Sequence, residues 1–246
     1  MQIYGPNPAI LEALRGSNIE LILDVTNEKL QALSDAATAN DWVQQNILNY
    51  PDVTFSQFTR PDMSLLGNSY PPSAGSFSDS ASSYMASVIR LITLLANNGA
   101  PLLANVYPYF SYIGNSQSIS LDYALLRSPG VVVQDGEYGY QNLFDAILDA
   151  LYSALEKSGG SNVKVVVPES RWPSEGHAAA TVDNAATYYQ NLINHVNNGT
   201  PKRPGQAIQT YLFAMFDENK KGPEETERHF GLFHPDKQPK YQIRFN

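Results

Sequence analysis

Short apolar runs alternate along this chain with longer segments whose apolar residues return every three or four positions. Residues 19–25 (IELILDV), 102–107 (LLANVY), 163–167 (VKVVV) and 207–216 (AIQTYLFAMF) are strand candidates. Residues 78–97 carry Tyr84, Val88, Leu91, Ile92 and Leu95 at helical spacing,. Residues 142–156 place Leu143, Phe144, Ile147, Leu148, Leu151 and Leu155 on one stripe,. A further helix is expected over residues 182–196, and a short one from an Asn27 cap to Leu33. These stripes read as core packing. Strand, turn and helix in alternation are the rhythm of parallel α/β architecture. With neither a G-x-G-x-x-G nor a Walker loop, a nucleotide-binding open sheet loses its main support, and a (β/α) barrel is favoured. Function is then expected at the carboxyl ends of strands, where Tyr107, Glu169 and the FDENKK run after Phe216 lie. One domain over residues 1–246 is expected.

Composition narrows the chemistry. The 24 acidic against 16 basic residues give a net charge of −8 without a basic cluster, which argues against nucleic acid as a partner,. Fifteen tyrosines, 10 phenylalanines and 2 tryptophans suit a neutral, hydroxyl-rich ligand, because aromatic faces stack on the C–H faces of sugars,. The absence of cysteine excludes disulfides and thiolate metal sites, and four scattered histidines lack ligand spacing, so neither a metal nor a cofactor is expected,. No basic and apolar leader opens the chain and no apolar run reaches membrane-spanning length, so no membrane association is expected,.

The segment KVVVPESRWPSEGH, residues 164–177, sets a glutamate at the end of a β-branched run. A carboxylate there loses hydration and needs hydrogen bonds, a cation or a chemical task. Together with IYGPN, ALRGSNIELILDV, LLGNSYPPSAGSF, PLLANVYPYFSYIGN and GTPKRPGQAIQTYLFAMFDENKKGPEETERHFGLFHPDKQPKY, it resembles the plant glycoside hydrolase family 17 endo-β-1,3-glucanases. The resemblance covers almost the whole chain. It implies a (β/α)8 TIM barrel with an open cleft and retaining hydrolysis of β-1,3-glucan polysaccharide or oligosaccharide, in plant defence or cell-wall turnover. It also implies that Glu169 is the nucleophile, within the family pattern V-x-E-S-G-W-P-S. Tyr107 matches the tyrosine of N-x-Y-P-Y-F near the reacting sugar, and Glu218 with Lys221 matches a polar pair at the same barrel end. Trp172 either packs the cleft floor or anchors the core. Tyr4 either contacts ligand or bonds within the barrel. Phe233, like Phe230, either stacks on a sugar or packs.

Departures from that pattern change the expectation. Pro168 stands where the family has a small residue, and it removes a backbone donor from a central strand. Arg171 replaces the glycine after Ser170, either pairing with Glu169 or filling the subsite. Gly5 stands where the family has aspartate. The first βα unit and the Y-I-A-V-G-N-E segment that carries the acid/base glutamate are missing from the printed sequence, and Glu137, Glu175 and Glu218 do not take that position. A closed barrel cannot simply drop strands, because strand number, tilt and shear are linked. Reduced activity is therefore expected; the alternatives are a non-catalytic glucan-binding or defence-related relative, and an incomplete reading of a longer enzyme. The acidic balance resembles the secreted members, with the vacuole as the alternative compartment; the Asn198-Gly199-Thr200 sequon has meaning only in a secreted chain, and a monomer is expected.

Overall fold

A computed structural model describes residues 1–3, 5–23, 25, 29, 31–58, 65–85, 89 and 101–245. Tyr4 and Asn27 lie outside the described residues. The chain divides into two compact units, one of Met1–Ser69, Ala74–Asn105 and Leu151–Val166, the other of Tyr70–Ser73, Val106–Ala150 and Val167–Asn246.

The first unit is parallel α/β. Gln2–Ile3, Glu20–Leu23 and Thr54–Phe58 pair in parallel in that order. Leu21, Ile22 and Leu23 are all buried, the continuous apolar run expected of a strand covered on both faces,. The helix Pro8–Ala13 begins where Asn7 Oδ1 accepts from the Ala9 and Ile10 amides and Pro8 fills the first turn,. It buries Leu11 against Ile3, Leu14, Leu21, Leu23 and Val53. Leu102–Leu103 pairs in parallel with Val165 and Val166, and Ile22, Leu103 and Val166 share a second apolar cluster. The strand expected over 102–107 is regular over Leu102–Leu103, and the Ala104 and Val106 amides carry its backbone bonds on to Val166 O at 2.9 Å and Glu169 O at 3.3 Å. The helix expected over 78–97 is helical over 79–85 and at Ile89, and its other positions after 85 lie outside the described residues.

Strand Val165–Ser170 continues past Pro168, where the sequence led us to expect a stop, and its residues from Val167 on belong to the second unit. It pairs in parallel with Thr210–Leu212, with Thr210 opposite Val167 and Leu212 opposite Ser170. Pro168 and Glu169 on one strand therefore stand against the single residue Tyr211 on the other, a bulge at Pro168 and Glu169,. The bulge explains how proline fits: the ladder is carried by Val167 N–H to Gln209 O (2.9 Å) and Phe213 N–H to Ser170 O (3.0 Å), on either side of the missing donor. Gly136-Glu137 closes an antiparallel hairpin between Val133–Asp135 and Tyr138–Tyr140, with Gly136 at φ +57°,.

Helix Leu143–Lys157 is buried over more of its circumference than one apolar stripe predicts. Ala146, Ala150 and Ala154 are enclosed, and so is a polar row of Asp145, Asp149 and Ser153. Partners make that row tolerable. Asp145 meets His195 Nε2 at 2.7 Å and accepts from Asn142 at 2.8 Å, while Asp149 accepts from the Lys202 amide at 3.0 Å. Burial is the largest influence on Asp149 and pushes its pKa up to about 6, against the lowering effect of its hydrogen bonds,. Between the ordinary carboxylate value and about 6 the folded state binds more protons than the unfolded one, so this group lowers stability as pH rises through that window. The expected contribution is on the order of 2–3 kcal/mol. Thermal melts from pH 3.5 to 7 should show Asp149→Asn losing most of that decline; an unchanged profile would rule out this origin.

Candidate active site

Glu169 sits on the bulged end of the strand and is only 4% exposed. Tyr107 donates its hydroxyl to Glu169 Oε2 at 2.7 Å. The two backbones are also tied, since Val106 N–H donates to Glu169 O at 3.3 Å and Ser170 Oγ donates to Val106 O at 2.8 Å. The phenol bond fixes the orientation of that carboxylate oxygen,. A bulge beside it re-aims the side chain, a common device next to reacting groups.

Trp172 is fully enclosed, so its ring offers no face to a ligand. Its indole N–H donates to Ala179 O at 2.9 Å, and Tyr109 and Tyr188 pack on it at 5.2 and 5.3 Å. The Tyr188 hydroxyl in turn bonds Ser170 Oγ. Tyr189, equally buried, receives the Trp172 amide at 3.3 Å and lies 2.8 and 3.1 Å from the carbonyls of Phe213 and Phe230. This aromatic layer fixes the strand end that presents Glu169.

Glu218 and Lys221 meet at 3.0 Å, as the sequence led us to expect, and Lys221 also bridges Glu227 at 3.1 Å. Burial alone would lower the Lys221 pKa, but the hydrogen bonds to both carboxylates outweigh it and raise the value,. Asp217 anchors this stretch: its carboxylate holds Lys240 at 2.7 and 2.9 Å and accepts from the Gly231 amide at 2.8 Å. A Cβ at Gly231 would come within 2.1 Å of the Asp217 nitrogen, so the close approach needs glycine,.

Sequence reasoning missed Glu227. It hides in EETER, which reads as a solvated acidic run, and it becomes visible only when folding brings it to Lys221 and, at 3.4 Å, to Arg171. Of the two roles open to Arg171, the ion pair it forms is with Glu227, and its guanidinium lies over four aromatic rings. Phe230 is the ring closest to it, at 4.3 Å, whereas Phe233 packs on Phe216 with centroids 6.0 Å apart.

The family described as Glycosyl hydrolases family 17 matches in two stretches, residues 1–60 and 53–245. A "Glucan endo-1,3-beta-glucosidase" of Vitis vinifera is 54% identical over 290 aligned positions, covering 100% of this chain and 83% of the relative. Since this chain has 246 residues, at least 44 of those 290 positions hold a residue in the relative and none here. Two solved structures match with a TM-score of 0.82 and 41% identity, over 100% of this chain and 90% of theirs. One belongs to a study of two plant beta-glucan endohydrolases with distinct substrate specificities; the other is a beta-1,3-glucanase and allergen of Cryptomeria japonica pollen.

Proposed function

Because the chain belongs to glycosyl hydrolases family 17, we propose that it hydrolyses β-1,3-glucan internally, with retention of configuration and with Glu169 as the nucleophile,. The observation that carries this reading is the Glu169 carboxylate, held at 2.7 Å by the Tyr107 phenol on a bulged strand end. In the first step a Glu169 oxygen bonds to the anomeric carbon as the glycosidic C–O bond breaks. Water then hydrolyses the glycosyl ester and releases the carboxylate. Tyr107 orients the Glu169 carboxylate, and the Glu218, Lys221 and Glu227 network lines the site with groups that bond sugar hydroxyls.

The fold class that supports this reading is the parallel (β/α) TIM-barrel type of the family. The parallel pairings of both units and the 0.82 structural matches support it. The 44 unmatched positions and the doubling of the family match at residues 53–60 support the loss of the segment that brings the acid/base glutamate. The leaving oxygen then takes its proton from water, and turnover of glucan is slow. The protein acts as a secreted monomer on neutral glucan; among the described residues no helix is long and apolar enough to cross a membrane.

A dinitrophenyl β-glycoside of a 1,3-linked glucose disaccharide tests this reading, because its leaving group departs without a proton. Positioned acid catalysis is worth roughly 10² to 10⁴ in rate. Hydrolysis of the activated substrate should therefore exceed that of soluble β-1,3-glucan at least about a hundredfold in kcat/KM. Equal values would show an acid at work in this chain, and turnover of neither substrate would overturn the hydrolase reading in favour of glucan binding.

A further inference from the structure

The Arg171 side chain is 13% exposed and sits in a box of aromatic rings. Its guanidinium carbon lies 4.3 Å from the Phe230 centroid, 4.9 Å from Tyr107, 5.1 Å from Phe213 and 5.3 Å from Phe110. Its Nε is buried and makes no hydrogen bond among the described residues. Stacking of a planar cation on ring faces, with the Glu227 pair at one end, is what holds it,. Tyr107 belongs to this box and also to Glu169, so the box borders the nucleophile directly.

We propose that Arg171 is a built-in occupant of the aromatic recess beside Glu169. It covers ring faces on which the glucosyl unit presented to the nucleophile would otherwise stack, and so determines the affinity of the site. This rests on the reading of Glu169 as a glucan nucleophile. Flat apolar faces bounded by hydroxyl-binding groups suit a pyranose, whose C–H face stacks while its rim hydrogen bonds. Here Phe230 is 1% exposed and Glu218, Lys221 and Glu227 supply the polar edge. Emptying the recess leaves no stranded charge, because Glu227 keeps Lys221 at 3.1 Å.

The test is calorimetric binding of a β-1,3-linked glucose tetramer in a Glu169→Gln background, where no turnover interferes. Adding Arg171→Gly should tighten Kd about two- to tenfold, the range of a recovered aromatic stacking contact. Adding Arg171→Met, which keeps the recess full without the charge, should leave Kd unchanged. With Glu169 intact, Arg171→Gly should lower KM by a similar factor and change kcat less. Arg171→Ala takes the place of glycine if the melting curve shows that glycine unfolds the chain. Weaker binding on opening, or equal effects of glycine and methionine, would overturn the proposal. Failure of all three proteins to bind would overturn the glucan reading, and this proposal with it.

Discussion

Replacing Glu169 by glutamine should remove whatever hydrolysis this protein performs, by roughly 10³- to 10⁶-fold in kcat, the scale at which single nucleophiles fail when deleted. The amide can still accept the Tyr107 hydrogen bond, so geometry persists while the charge that attacks the anomeric carbon is gone,. The loss should be larger than any caused by lack of a proton donor, because an activated leaving group cannot compensate for an absent nucleophile. Reducing-sugar release from soluble β-1,3-glucan and colour release from the dinitrophenyl substrate both measure it. Activity within tenfold of the parent on either substrate would place the nucleophile elsewhere.

Trp172→Ala should cost about 3–5 kcal/mol of stability, the range for truncating a fully buried large aromatic. Every contact of the indole is structural: Tyr109 and Tyr188 lose a packing partner, and the strand end carrying Ser170 loses its support. The Ala179 carbonyl still receives Asn184 at 3.0 Å, so the loss is mainly one of volume,. For a chain of this length, a fall in Tm of about 6 to 20 °C corresponds to that cost. A change below 1 kcal/mol accompanied by weaker sugar binding would mean that the indole faces ligand instead.

Much of this molecule was legible where local periodicity and burial agree. The helices Leu143–Lys157 and Val182–His195 fall within a residue of the expected limits, because their apolar stripes face a core on their own. Strands were found but misjudged in length: residues 207–216 narrow to Thr210–Leu212, and 163–167 shifts to Val165–Ser170. Strand ends depend on pairing with distant segments, and the accommodation of Pro168 depends on a bulge that only the partner strand defines. The hairpin around Gly136-Glu137 has glycine first in its two-residue loop, and its register is set by the pairing of Asp135 with Tyr138,. Glu169, Tyr107, Glu218 and Lys221 were legible through motif likeness. Glu227 and the aromatic box around Arg171 were not, because nothing in one dimension shows that Phe110, Phe213 and Phe230 converge on one guanidinium.

The most direct measurement is to trap the glycosyl ester. A 2-deoxy-2-fluoro β-1,3-linked glucose disaccharide bearing a dinitrophenyl group forms the intermediate without an acid and slows its hydrolysis. Tryptic cleavage after Lys164 and Arg171 then releases residues 165–171, VVVPESR, in which Glu169 is the one carboxylate side chain. A mass increase of one fluorinated disaccharide on that peptide, absent from Glu169→Gln, is the predicted result. A label on Glu218 or Glu227, or turnover of the aryl glycoside without any label on residues 165–171, would contradict it.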